Sequence, residues 1–190
     1  MRIISGNFKN KKLNFSKNSR TRPLKDSVKE NIFNILEHSK KININIKNSN
    51  ILDLFSGSGS FGLESLSRYS SKVFFVEKDL DALTTLKKNI EDLKSKKETF
   101  IYMEDVNDFF EKLNFDEKFD IIFMDPPYVD TAYMNLFKII LKKKILKKNH
   151  IIILHRERKK FENLNIKNFH IIEKRNYGRS AIFFGKLFWS

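Results

Sequence analysis

The sequence predicts an α/β fold: a seven-stranded, mostly parallel sheet with helices on both faces, preceded by a basic N-terminal hairpin arm. Three observations predict it. From Ile51 onward, short apolar segments alternate with helical ones; those segments are apolar almost throughout, as strands covered on both faces must be; and a cluster of glycines directly follows the first of them. The 190 residues suit one domain, 1–190, made of an arm (1–25) and a core (26–190).

The elements follow in order. Arg2-Ile3-Ile4 and Lys12-Leu13-Asn14-Phe15 read as the two strands of a hairpin, with Gly6-Asn7 near its turn. Asp26 or Ser27 is expected to cap a helix whose apolar face is Val28, Ile32, Phe33 and Leu36. Parallel strands are expected at 51–55, 73–76, 99–102, 120–124 and 151–154. Helices lie between them, ending near 69 and spanning about 79–94, 106–113 and 131–146. Two closing strands fall at 170–174 and 180–187. Right-handed crossovers set the first and fourth strands side by side, so the loops after them open on one crevice.

Composition removes several classes of function. There is no cysteine, hence no disulfide, thiolate nucleophile or Cys-based zinc site. His38, His150, His155 and His170 have no metal-ligand spacing, so the chemistry is expected to be metal-free. No apolar run approaches the roughly 18–20 residues that span a bilayer, and the start lacks the apolar stretch of a secretory signal; a soluble cytoplasmic protein is expected. The formal net charge of +14 favours a polyanionic partner, nucleic acid first. Compositional drift toward Lys, Asn and Ile would scatter the lysines evenly. Instead Arg2, Lys9, Lys11, Lys12, Lys17, Arg20, Arg22 and Lys25 precede the first acid, Asp26.

Of six glycines, Gly57, Gly59 and Gly62 share one loop, giving G-x-G-x-x-G between a strand and a helix, with Glu77 ending the next strand. Such a loop suits a dinucleotide or S-adenosylmethionine. Asp53, just before it, favours a cationic sulfonium and amino group over a pyrophosphate, and nothing after Leu154 is long enough for a dehydrogenase's substrate domain. Glu77 would then hold ribose hydroxyls. Asp105 would accept from the adenine amine, a role compatible with capping a helix.

Asp125-Pro126-Pro127-Tyr128 is the most specific feature. The exocyclic amine of a nucleobase is a poor nucleophile because its lone pair is conjugated into the ring. A site that accepts both N–H groups turns that lone pair toward a methyl donor. Asp125 can accept one and the Pro126 carbonyl the other, its direction set because Pro127 keeps Pro126 extended. Tyr128 offers a ring on which an extruded base can stack.

Arg2-Ile3-Ile4-Ser5-Gly6, Thr21-Arg22-Pro23, the run from Asp53-Leu54-Phe55-Ser56-Gly57-Ser58-Gly59 to Gly62-Leu63-Glu64-Ser65-Leu66-Ser67-Arg68, the Asp-Pro-Pro-Tyr corner and Tyr177-Gly178-Arg179-Ser180 together resemble the bacterial 16S ribosomal RNA guanine-N2 methyltransferase family. The resemblance covers essentially the whole chain. It implies a Rossmann-like class I S-adenosylmethionine-dependent methyltransferase, a monomer acting on a guanine of small-subunit ribosomal RNA. The cofactor pocket would fall on Asp53, Phe55, Gly57, Gly59, Glu77, Lys78, Asp105 and Val106, and the catalytic corner on Asp125, Pro126, Pro127 and Tyr128. RNA contacts would fall on Arg2, Lys11, Lys12, Arg20, Arg22 and Arg179. The chain departs from the family after the fifth strand, where His155-Arg156 stands in place of a frequent acid. Two other readings stay open on the residues alone: an adenine-N6 nucleic-acid methyltransferase, and a basic RNA-binding module with an inactive pocket. Glutamine methylation of a protein would favour Asn at position 125.

Overall fold

The computed structural model describes residues 1–15, 24–113, 116–127, 133–158 and 166–188. Its seven strands form one mixed sheet in the order β3-β2-β1-β4-β5-β7-β6. β1 (Asn50–Leu54), β2 (Lys72–Glu77), β3 (Thr99–Met103), β4 (Phe119–Met124) and β5 (Leu146–Glu157) are parallel; β6 (Phe169–Tyr177) and β7 (Ser180–Leu187) add an antiparallel pair. This is the expected Rossmann-like arrangement, and β1 lies between β2 and β4 as expected.

Period-two alternation sends strand residues to two cores. One holds Ile51, Phe75, Phe123 and Ile153 against α1 (Asp26–His38), α2 (Ser60–Ser67) and α3 (Leu80–Asp92). The other holds Leu52, Phe74, Ile122 and Leu154 against α4 (Val106–Lys112) and α5 (Tyr133–Lys143).

Four expectations change. The sixth strand, expected at 170–174, runs from Phe169 to Tyr177. The fifth strand is longer than 151–154: it runs from Leu146 to Glu157, and its tail His155, Arg156 and Glu157 pairs with Ile182, Ala181 and Ser180 of β7. The helix at 26 has Lys25 at its cap position with no side-chain cap bond. Asp26 lies within the first turn instead, where its Oδ1 accepts from the Arg2 backbone N at 3.3 Å and lies 3.7 Å from the Lys29 ammonium. The hairpin shrinks to one antiparallel bridge, Arg2 with Lys12.

The hairpin is short because its backbone donors are engaged elsewhere. Ile4 N and Ser5 N donate to the two carboxylate oxygens of Glu64 on α2, at 2.7 and 3.0 Å. Asn7 N donates to the Ser67 carbonyl at 2.7 Å and Phe8 N to its hydroxyl at 2.9 Å. Gly6 crosses that carbonyl with φ +82°, and a Cβ there would lie 1.8 Å from it, so only glycine fits. Glu64 is fully buried with the Lys29 ammonium at 3.6 Å and Arg68 Nε at 2.9 Å. Burial lowers the Lys29 pKa, opposed by Glu64 and Asp26.

Removing one partner from a buried ionic cluster leaves the others desolvated and unpaired. Glu64→Ala should cost about 3–5 kcal/mol in urea unfolding and expose Lys9, Lys11 and Lys12 to trypsin before the core is cut. A loss under about 1 kcal/mol, with the arm still protected, would show that Glu64 does not anchor it.

Candidate active site

The glycine loop leaves β1 through Phe55, a non-glycine residue at φ +61°, in a region that bulky residues avoid. Ser56 N still donates to Val76 O of β2, and Gly59 N closes the turn onto Ser56 O at 2.8 Å. Gly59, at φ +81°, stands at the cap position of α2 and offers no side-chain acceptor. Asp53 fills that role from β1: its Oδ2 accepts from Gly62 N at 3.0 Å, one of the first-turn donors that a helix cannot satisfy itself. Gly62 permits the approach of α2 to β2, since a Cβ there would meet Phe75 Cε1 at 2.3 Å. By contrast a Cβ on Gly57 would meet nothing within 4 Å, so the loop is open on that side.

Asp53 is 1% exposed, and burial raises its pKa well above the usual carboxylate range, with repulsion from Asp125 and Glu77 adding to it. Glu77 and Asp125, at the carboxyl ends of the flanking strands β2 and β4, thus both act on Asp53 in β1. Glu77 Oε2 accepts from Gly57 N at 2.7 Å, and Oε1 from Lys78 N and Asp79 N at 2.9 and 2.8 Å. Across the crevice Asp105 caps α4 through Asn107 N at 2.9 Å and pairs with Lys78 Nζ at 2.8 Å. The Lys78 hydrogen bond, helped by Asn107, holds the Asp105 pKa low. Val106 beside it is buried.

The Asp-Pro-Pro segment follows β4, and Asp125 N reaches back to Leu54 O at 3.4 Å, joining the corner to the end of β1. Tyr128 lies outside the described residues. Two side chains that the sequence reading left without a role hold this corner. His155 Nδ1 is 2.8 Å from Asp125 Oδ1, and one Arg156 guanidinium nitrogen donates to Pro126 O at 2.8 Å and Pro127 O at 2.9 Å. Arg156 is fully buried and lies 4.4 Å over the Tyr133 ring of α5. The available signal is a polar pair that continues an apolar strand whose carboxyl end borders the crevice.

The cations assigned to RNA are spread differently. Arg2, Lys11 and Lys12 are exposed on the docked arm. Arg179, in the β6–β7 turn, is exposed and lies 3.3 Å from Glu157. Arg20 and Arg22 lie outside the described residues, as do Thr21 and Pro23. Among the described residues no group of three or more His, Asp or Glu side chains is placed to hold a metal ion, and no helix is long and apolar enough to cross a membrane.

The family described as conserved hypothetical protein 95 matches residues 1–186. The ribosomal RNA small subunit methyltransferase D of Buchnera aphidicola (subspecies Acyrthosiphon pisum) is 34% identical over 157 residues, 83% of this chain and 78% of that one. The protein of the same name from Haemophilus influenzae is 34% identical over 161 residues, 84% and 80% of the two chains. Among solved structures, Haemophilus influenzae HI0767 superposes with a TM-score of 0.75 at 30% identity, covering 97% of each chain. Escherichia coli yhhF superposes with a TM-score of 0.81 at 24% identity over 98% of this chain and 97% of its own, a likeness of fold.

The buried Asp53 carboxyl makes stability depend on pH. Unfolded, it titrates near ~3.9; folded, it holds its proton to higher pH. Its contribution to stability is therefore full below the unfolded value and is lost as pH rises through the folded one. Asp53→Asn keeps an oxygen for Gly62 and removes the titration. It should be more stable than the parent at pH 8, the gain shrinking toward pH 4. Urea midpoints at several pH values measure this, and a pH-independent difference would contradict it.

Proposed function

The chain belongs to the conserved hypothetical protein 95 family and to that of the small-subunit ribosomal RNA methyltransferases D, and from that membership we propose that it transfers the methyl group of S-adenosylmethionine to the exocyclic N2 amine of a guanine in 16S ribosomal RNA. The observation that carries the reading is the convergence of Asp53, Glu77 and Asp125 beside the glycine loop in a chain of net charge +14. A cationic ligand relieves the mutual repulsion of these carboxylates, whereas a pyrophosphate would add to it. The donor set therefore fits a sulfonium.

When bound, the cofactor supplies an electrophilic methyl group on a positively charged sulfur. The chain's own residues do the rest. Glu77 ends β2 beside Gly57 N, within the loop on which the ribose would lie, and can exchange its backbone donors for two hydroxyls. Asp105, at the start of α4, would accept from the adenine amine through the oxygen that now holds Lys78. Asp125 keeps Oδ2 as an acceptor for one amine N–H, and the second lone pair of the Pro126 carbonyl takes the other. Held by both hydrogens, the amine turns its nitrogen lone pair toward the methyl carbon. With S-adenosylmethionine bound, the methyl carbon would pass to this nitrogen, the C–S pair would return to sulfur and the amine would give up one proton, while Asp125 and the Pro126 carbonyl hold its hydrogens. Positioning and these two hydrogen bonds are the whole of the catalysis assigned to the protein.

Guanine N2 as the target is supported by the resemblance of the arm, loop and corner segments to the guanine-N2 family; the names of the relatives support methylation of small-subunit ribosomal RNA and do not specify the base. The test is nucleoside analysis of small subunits treated with the protein and labelled S-adenosylmethionine: N2-methylguanosine is expected, and N6-methyladenosine would replace this reading with the adenine one. Asp125→Ala should cut turnover by about 100-fold or more, the scale of losing a transition-state hydrogen bond, while weakening the cofactor far less, since Asp53 and Glu77 remain.

The exposed arm cations are assigned to phosphates. Each lost phosphate contact should lower the salt slope of RNA binding by roughly 0.7–0.9. Replacing Arg2, Lys11 and Lys12 together by Ala should weaken RNA binding and lower the slope by about 2–3, with cofactor affinity as before. Salt plots that superpose with those of the parent would free the arm of this role.

A further inference from the structure

The Asp-Pro-Pro corner is gripped by two consecutive residues of β5, and we propose that His155 and Arg156 are positioning residues for the methyl transfer. The inference rests on the function proposed above. A carboxylate only accepts hydrogen bonds, so with Asp125 charged the ring nitrogen 2.8 Å from its Oδ1 carries the proton. That bond occupies Oδ1 and leaves Oδ2 for the substrate amine. It also fixes the rotation of the carboxylate plane, which is broad for a free Asp side chain. Asp125 is partly exposed, so without this tether it would turn freely at the rim.

Arg156 sets the second acceptor. Its guanidinium nitrogen, donating to both Pro126 O and Pro127 O, holds the two carbonyls toward one point. A carbonyl has two lone pairs, so Pro126 keeps one, and the bond to Arg156 fixes where that one is aimed. The guanidinium plane is itself held by the Tyr133 ring, a stacking that an ammonium would not reproduce. Neighbours on a strand point to opposite faces, so the two side chains hold the corner from different sides. β7 pairs with both residues and keeps their backbone in register.

The test uses the full chain with small ribosomal subunits and S-adenosylmethionine. His155→Leu should lower kcat about tenfold with the KM values and the unfolding temperature nearly unchanged. His155→Asn, whose amide N–H stands close to the place of Nδ1, should return kcat to within about threefold of the parent. Arg156→Lys should also lower kcat about tenfold while calorimetric affinity for S-adenosylhomocysteine is kept. A separate readout needs no turnover. In the protein labelled with 15N-histidine, two rings should show a hydrogen-bonded Nδ1 proton, that of His150 on the Lys147 carbonyl and that of His155 on Asp125, and only the second should vanish in both His155→Asn and Asp125→Ala. Native kcat in His155→Leu, or equal losses in the Leu and Asn variants, would overturn the positioning role. Loss of turnover in proportion to loss of stability would do the same. A native protein that methylates no ribosomal RNA, yet shows the tethered ring, would sink the functional reading and leave the grip on Asp125 standing.

Discussion

The arrangement of the crevice depends on one buried carboxylate. Asp53 sits on the central strand of the parallel sheet, almost without water, and spends an oxygen on the first turn of α2. That single bond replaces the cap that Gly59 cannot provide, and so sets how the glycine loop meets its helix. The rest follows from the charge. Glu77 and Asp125 lie close enough to raise its pKa further. An N-terminal helix dipole offsets part of the cost. On the function proposed above, a cationic ligand would offset more, so that binding and folding would pull on the same residue.

How far the sequence reveals this depends on whether the relevant partners are local. β7 was legible to its boundaries and β1–β4 to within two residues, because each is an apolar run bounded by polar or turn-forming residues. The glycine loop and the Asp-Pro-Pro corner were legible because their chemistry is contained in adjacent residues. β5 extends beyond its apolar run because His150 and Arg156 are polar yet buried, and single-sequence patterns equate polarity with exposure. Both are satisfied from afar: His150 takes Leu187 N and bonds Lys147 O, and Arg156 bonds the diproline carbonyls. Asp26 resembled a cap for the same reason; its partner is Arg2, at the other end of the arm. Asp53 was read as facing the ligand, but no sequence pattern revealed that Gly62 N takes one of its oxygens.

The arm shows why segments far apart in sequence form one signature. Residues 2–8 and 64–67 are two halves of a single interface, in which Glu64 and Ser67 take up the backbone donors of an extended strand. A second seam lies beside the glycine loop. Buried Asn89 on α3 accepts from Asn14 N and donates to Ser58 O, and Lys29 donates to both Arg2 O and Ser60 Oγ. Both ends of the arm therefore lean on the loop after β1 through buried polar side chains. A tail anchored this way is part of the core's packing, although its outer surface is a row of cations.

The place of β7 in the sheet fixes an order of events during synthesis. It follows β6 along the chain but lies between β5 and β6. A nascent chain on the ribosome can zip β1 to β5 as they emerge, yet β5 then waits with one edge bare, and β6 has nothing to join. Only when residues 180–187 clear the exit tunnel can both be paired, and only then are His155 and Arg156 locked beside the diproline corner. The half of the crevice built around the glycine loop thus matures early and the half that carries the Asp-Pro-Pro corner matures late. Until that last strand arrives, the open edge of β5 is exposed to mispairing.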